Sequence, residues 1–168
     1  MKKKGLLQIG VIGDSEATKR NLEIAEGIGS EIAKVGGVTV TGGRGGVMEA
    51  ACRGAKSLGG ITVAILPGED EMIANDYCDI VLPTGLGWAR NSLVALSSDA
   101  VIVIGGRSGT LSEIAYSWMH KRVICAIKGT GGWADRLAGQ HVDDRNERPV
   151  LIARDAVEAV STVLKILD

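Results

Sequence analysis

The chain has 168 residues, of which 45% are apolar, 23% charged and 3% aromatic, with a net charge of −1 and no phenylalanine. That length and apolar content fit one folded domain around one core, not a disordered chain. The near-neutral charge argues against a nucleic-acid face, and the scarcity of aromatics against a stacking platform for single strands.

Met1-Lys2-Lys3-Lys4 ahead of Leu6-Leu7 imitates an export signal, but Gln8, Gly10, Gly13 and Asp14 break the apolar stretch. Residues 7–12 read as a first strand. Asp14-Ser15 are good caps for a helix over 16–35, and Gly36-Gly37 stop it. A strand over 38–41 leads to a helix over 47–58, ended by Gly59-Gly60. Strands follow at 61–66 and 79–82, a helix at 86–97, a strand at 100–104, a helix at 111–121 and a strand at 122–127. Residues 129–148 hold Gly131-Gly132 and the charged run Asp143-Asp144-Arg145-Asn146-Glu147-Arg148, and read as a long loop or flap. A strand at 150–153 and a helix at 155–167 close the chain.

The apolar runs are continuous rather than alternating, as in parallel strands buried on both faces. Strand–helix alternation predicts a single domain over 1–168: a doubly wound, mostly parallel α/β sheet of about seven strands with helices on both faces. No apolar run approaches membrane-spanning length. Cys52, Cys78 and Cys125 are widely spaced and form no CxxC, so the expectation is a reduced cytoplasmic protein without a cysteine metal site.

Two glycine-rich turns each follow a β-branched run and open a helix. They are Gly42-Gly43-Arg44-Gly45-Gly46-Val47-Met48-Glu49 and Gly105-Gly106-Arg107-Ser108-Gly109-Thr110-Leu111-Ser112-Glu113. Such a turn brings bare backbone N–H groups and a helix N-terminus to one point, which favours an anion. The competing reading is that the glycines only permit tight turns and close packing. Neither turn has GxGxxG spacing, and there is no GxxxxGK[ST], so a dinucleotide fold of the usual kind and a P-loop are both disfavoured. The expected ligand is a phosphate-bearing small molecule, with Gly13, Asp14 and Ser15 at the end of the first strand beside the turns.

Arg90 shares a helical face with Leu93, Val94 and Ser97, so it stands at the top of a stripe that should pack on the sheet. Its fork suits phosphate; the alternative is a snorkelling surface arginine. Glu113 lies nearly opposite the stripe Leu111, Ile114, Ala115 and Trp118, and Thr110-x-x-Glu113 has the form of a capping box. It either caps the helix or faces a ligand or partner subunit. Glu49 poses the same choice, while Arg44, Arg53 and Arg107 add positive field or are simply solvated. Trp88 and Trp133 flank glycine-rich segments and are candidates to cover a ligand ring; Trp118 reads as core or as a dimerisation face. His120 and His141 lack metal-ligand spacing, and no metal site is expected.

On these motifs the chain resembles the lysine-decarboxylase-like or LOG family, and within it the molybdenum-cofactor-carrier-like branch. The first turn matches the family's GGG-x-x-G-x-M, one residue tighter; the second matches PGGxGTxxE. The family arginine lies fifteen residues before that motif's proline, and counting back from Gly105 lands on Arg90. Ser98-Asp99-Ala100 stands where the family has Ala-Asp-Ala. The resemblance fades beyond about residue 127.

For LOG enzymes it implies hydrolysis of the N-glycosidic bond of nucleoside 5′-monophosphates, with Arg90 and Glu113 as the catalytic pair and the glycine turns with Ser108 and Thr110 on the phosphate. Asn91 in place of the LOG lysine, Gly105 in place of the motif's proline, and Arg107 in place of a glycine look like the carrier branch instead. For that branch the resemblance implies binding of the molybdenum cofactor, a phosphorylated pterin, without turnover. It also implies a homodimer or homotetramer with the site near the subunit contact. Nothing in the sequence resembles a lysine decarboxylase site.

Overall fold

The computed structural model describes residues 5–167; the leader-like start at Met1–Lys4 lies outside the described residues. Seven strands form one sheet: β1 (Gln8–Gly13), β2 (Val38–Thr41), β3 (Ile61–Leu66), β4 (Ile80–Pro83), β5 (Ala100–Ile104), β6 (Val123–Ile127) and β7 (Leu151–Ala153). Their order is β4-β3-β2-β1-β5-β6-β7 and every pairing is parallel. Six helices alternate with them: α1 (Lys19–Lys34), α2 (Val47–Ser57), α3 (Asn91–Ser97), α4 (Ser108–Met119), α5 (Gly132–Leu137) and α6 (Ala156–Leu167). This is a doubly wound, Rossmann-like α/β fold, and the strand order reverses direction between β1 and β5.

The continuous apolar runs have the expected cause. Ile102 and Ile104 of β5 point into a core shared with α1, α2 and α6, while Val101 and Val103 point into a second core shared with α3, α4 and α5. Each central strand is therefore buried on both sides. α1 and α2 cross at backbone contact: a Cβ on Gly29 would stand 1.9 Å from the Ala51 carbonyl oxygen, and one on Gly54 equally close to that of Glu26. Only glycine permits that crossing.

Three expectations are corrected. The first helix starts at Lys19, not at residue 16, because Thr18 is its cap; the Thr18 hydroxyl accepts from Asn21 N. Asp14 is engaged elsewhere. Residues 86–97 are split: a 3-10 turn (Gly87–Arg90) precedes α3. The 129–148 segment is not one loop, since Gly131 with φ +79° starts α5. Its charged end is fastened to α4: Trp118 Nε1 donates to Asp143 at 2.6 Å, and Asn146 Nδ2 donates to the Trp118 carbonyl. Trp118 is core, 2% exposed. Among the described residues no helix is long and apolar enough to cross a membrane.

Candidate functional site

The carboxyl ends of β1, β2 and β5 meet where the strand order reverses, which is where open α/β sheets take their ligands. A cleft of about 240 Å³ opens there. Gly13, Asp14 and Ser15 line it from β1, Arg44 and Met48 from the first glycine turn, and Trp88, Arg90 and Asn91 from the approach to α3. Arg107, Ser108, Gly109, Thr110 and Glu113 line it from α4. Of the residues expected at a site, Gly42, Gly43, Gly45, Gly46, Glu49, Gly105 and Gly106 do not line it.

Those glycines shape the cleft from behind. The Arg90 guanidinium fills the space a side chain at Gly42 would need; a Cβ there would stand 2.3 Å from Nη1. Gly46 starts α2 with φ +68°, and a Cβ would stand 2.4 Å from the Asp14 and Ser15 carbonyl oxygens. The second turn differs from the bare cradle that its glycines led one to expect. Gly106 N donates to the Asp14 carboxylate at 2.8 Å and Gly105 N to the Thr130 hydroxyl at 2.9 Å. Those two amides are already satisfied. The amides left for an anion belong to the first turn of α4, whose cap position, Arg107, supplies no side-chain bond. Asn91 steadies that turn by donating to the Gly109 carbonyl and the Ser112 hydroxyl.

At the floor of the cleft sits a buried ion pair. Arg90 and Glu113 are 6% and 7% exposed, and Arg90 Nη1 lies 3.6 Å from Glu113 Oε1. Arg90 Nε has no hydrogen-bond partner. Burial pushes the Glu113 carboxyl up to about 7, against the pull of the Arg90 charge. Burial likewise lowers the Arg90 guanidinium from its ordinary value, with Glu113 opposing and Arg44 reinforcing. At 3.6 Å the pair does not offset the desolvation of both members. Arg90 stays charged at any physiological pH while Glu113 is easily protonated, so the floor carries net positive character beside Arg44 and Arg107.

The capping-box reading of Glu113 does not hold. α4 begins at Ser108, two residues before Thr110, and its buried residues are Thr110, Glu113, Ile114, Ser117 and Trp118. Glu113 thus stands on the inward face, not opposite it. The pattern missed this because the top of that face meets a polar cleft rather than apolar side chains. Arg90 is not a snorkelling surface arginine. Glu49 is half-exposed and pairs with Arg53, 3.8 Å away. Trp133 does not line the cleft; Arg136 stacks on its ring at 4.9 Å. Trp88 does line it and is 79% exposed. Three supporting residues went unnoticed in the sequence: Thr130, Asn21, whose amide donates to the Thr130 carbonyl, and Asn75, which bonds the Gly43 and Arg44 carbonyls. Each acts across a long stretch of chain and carries no local signature. Among the described residues no group of three or more His, Cys, Asp or Glu is placed to hold a metal ion.

The model of the SLOG cluster4 family matches residues 6–160. The chain belongs to the SLOG cluster4 family. A protein from Archaeoglobus fulgidus is 46% identical over 123 residues, 73% of this chain and 81% of that one. The chain is also similar to the cytokinin riboside 5′-monophosphate phosphoribohydrolase of Mycobacterium tuberculosis, 34% identical over 100 residues, 58% of this chain and 54% of that enzyme. Among solved structures, the molybdenum cofactor binding protein of Rippkaea orientalis superposes with a TM-score of 0.88 at 34% identity, over 99% of this chain and 100% of that one. The chain is thus similar both to a protein named as a hydrolase and to one named as a binding protein.

Proposed function

We propose that the cleft binds a phosphate-bearing small molecule in the manner of a carrier, with the molybdenum cofactor or a nucleotide-like molecule as cargo. The observation that carries this reading is Arg90: a buried guanidinium with an unpartnered Nε, facing a cleft and 3.6 Å from its nearest carboxylate. A phosphate accepting from the Nη donors of Arg90 and from the first-turn amides of α4 gives the guanidinium the hydrogen bonds that the 3.6 Å ion pair does not. Arg44 and Arg107 at the rim add attraction, and exposed Trp88 offers a face for a flat ring. A phosphorylated pterin fits this donor set, because it presents an anion and a planar heterocycle and asks no metal ligand of the protein. The likeness to the Rippkaea orientalis protein supports the same reading.

The second reading is hydrolysis of the N-glycosidic bond of a nucleoside 5′-monophosphate. Glu113 favours it: a carboxyl pushed up to about 7, buried beside an arginine, is poised for proton transfer or for orienting water. In that case Arg90 orients the substrate and the glycine turns shape its seat. A chromatographic assay for free base separates the two readings, run on a panel of nucleoside 5′-monophosphates with wild type and Glu113→Gln, alongside titration of binding. Binding without base release supports the carrier; base released by wild type and not by the variant supports the hydrolase and removes the carrier reading.

We also place the protein as a homodimer or homotetramer. Ile80 and Leu82 of β4, Leu86 and Trp88 ahead of α3, and Leu96 near its end are each at least 40% exposed. Large apolar side chains left in water on this half of the fold suit a subunit contact. Light scattering at micromolar concentration tests it, and a monomer there rejects it.

A further inference from the structure

We propose that the protein has a second ligand site, at the opposite edge of the sheet from the cleft, which takes a small polyphosphate: a molecule with two or more linked phosphoryl groups. A cavity of about 660 Å³ opens there, between the end of α4 and the segment ahead of β7. It lies at the amino end of β6, whereas the cleft of about 240 Å³ lies at the carboxyl ends of the strands. α4 runs from one to the other: Ser108 and Glu113 line the cleft, and Trp118 lines the cavity. With 12 residues the helix is about 18 Å long, so the two openings are separate places.

Four cations converge on this cavity. Lys121 and Arg122 follow the last turn of α4, where positive charge also suits the helix dipole. Arg145 and Arg148 come from a separate stretch of chain and have no such reason to be there. Among the lining residues Glu147 alone is acidic. Asp143, 3.2 Å away, partly neutralises Arg145, but Lys121, Arg122 and Arg148 have no ion-pair partner among the described residues. Arg122 is held in place without being neutralised: its Nη2 donates to the Leu96 carbonyl at 2.9 Å, and its Nε is buried with no hydrogen-bond partner. Lys121 takes φ +54° just past the end of α4, a position where glycine is usual. The backbone there is kept left-handed around a residue that brings charge to the cavity.

The wall that carries these charges is fixed. Trp118 and Ile124 back it, 2% and 3% exposed. The loop opposite is tied to that tryptophan: Asp143 accepts from Trp118 Nε1 and from Arg145 N, Asn146 donates to the Trp118 carbonyl, and the His141 ring meets the indole edge-on at 5.9 Å. Three cations without a counter-ion, around a hollow large enough for a nucleotide-sized molecule, match a multiply charged anion. A phosphoryl group suits them better than a carboxylate. Its tetrahedral oxygens can accept from α4 and from the loop at once, while a carboxylate offers two oxygens in one plane.

The test is to titrate inorganic tripolyphosphate into the full chain and follow the indole N–H signals of its three tryptophans by nitrogen–proton correlation NMR. Trp88→Phe and Trp133→Phe identify their own signals and leave that of Trp118, whose Nε1 donates to Asp143 beside the cavity. The expected result is a saturable shift of the Trp118 signal that persists in Arg90→Met. Lys121→Gln combined with Arg148→Gln, both at exposed positions, should weaken that binding on the order of tenfold. Citrate should bind more weakly than tripolyphosphate. A Trp118 signal unmoved by millimolar tripolyphosphate, a shift lost in Arg90→Met, equal affinity in the double variant, or citrate binding as tightly overturns the proposal. The wild-type and Arg90→Met titrations decide even where the double variant fails to fold. Trp88 lines the cleft, so its signal reports that site, and the proposed function and this second site stand or fall separately.

Discussion

At the first glycine turn, side chains are excluded by what lies beside the backbone: the Arg90 guanidinium against Gly42, and the Asp14 and Ser15 carbonyls against Gly46. At the second turn, Gly105 and Gly106 take φ of +58° and +105°, and their amides are held by Thr130 and Asp14. One turn makes room and the other aims a helix. Two motifs that read alike as phosphate cradles therefore contribute differently. Donors left for an anion come from Arg90 and from the start of α4, past the two glycines whose amides are already held.

The largest effect is expected within the first turn, at Gly46. Its φ of +68° and ψ of −130° suit only glycine, and an added Cβ would meet backbone carbonyls that cannot rotate away. Gly46→Ala should cost about 3 kcal/mol of unfolding free energy, measured by denaturant titration. Gly42→Ala should cost clearly less, because the atoms it meets belong to the Arg90 side chain, but it should displace that guanidinium and weaken anion binding. Equal destabilisation by both changes would erase the distinction between space beside the backbone and space for a side chain.

Arg90 comes next. Arg90→Met keeps the volume and removes the fork, and should lower affinity for a nucleoside 5′-monophosphate on the order of 100-fold, as lost charge-assisted bonds do. Arg90→Lys keeps the charge but not the paired geometry, and should recover only part of the loss. Calorimetric titration measures both. Full recovery by lysine would mean that charge alone, not the fork, is what the cleft presents.

Glu113 gives a pH-dependent signature. Its carboxyl sits at about 7 in the folded protein, above the ordinary 4.5. The folded state therefore holds this proton more tightly than the unfolded chain does. The stability it contributes is complete below pH 4.5 and is lost as pH rises to about 7. Glu113→Gln removes that titration, so the variant should gain on wild type across this window, by about 1.4 kcal/mol per pH unit and about 3 kcal/mol in all. Denaturant unfolding of both proteins at pH 4.5 and pH 8 tests it. A constant difference between the two pH values would mean that Glu113 is not desolvated by its burial.

The same residue shows where sequence patterns stop being readable. The parallel sheet and the two-sided burial followed from continuous apolar runs, since each run had to be covered twice; the order of the strands did not. The inward face of α4 did not follow. Leu111 and Ala115 look like core and are only half-buried, while Thr110, Glu113 and Ser117 look like surface and are buried. A helix whose upper turn faces a ligand cleft presents polar residues inward, and periodicity assigns those outward. The roles of Thr130 and Asn75 were equally hidden, because their partners lie about 25 and 31 residues away and depend on the finished fold. The short helix α5 was hidden by its double glycine, which reads as a break and in fact starts the helix.

The smallest effect asks whether Asp14 belongs to the scaffold or to the ligand. Its carboxylate accepts from Gly106 N at 2.8 Å and lies 3.7 Å from Arg107 Nε. Arg107 is largely exposed, so that ion pair contributes little to stability. Asp14→Asn keeps an oxygen to accept from Gly106 and should cost about 0.5 kcal/mol. The variant also removes a negative charge from the lining of a cleft that we assign to an anion. Affinity for a nucleoside 5′-monophosphate should therefore rise about threefold, and the rise should shrink as salt is added. A fall in affinity would instead mean that the Asp14 carboxylate contacts the ligand directly, so that the second turn recognises as well as aims, and the division between the two turns would have to be redrawn.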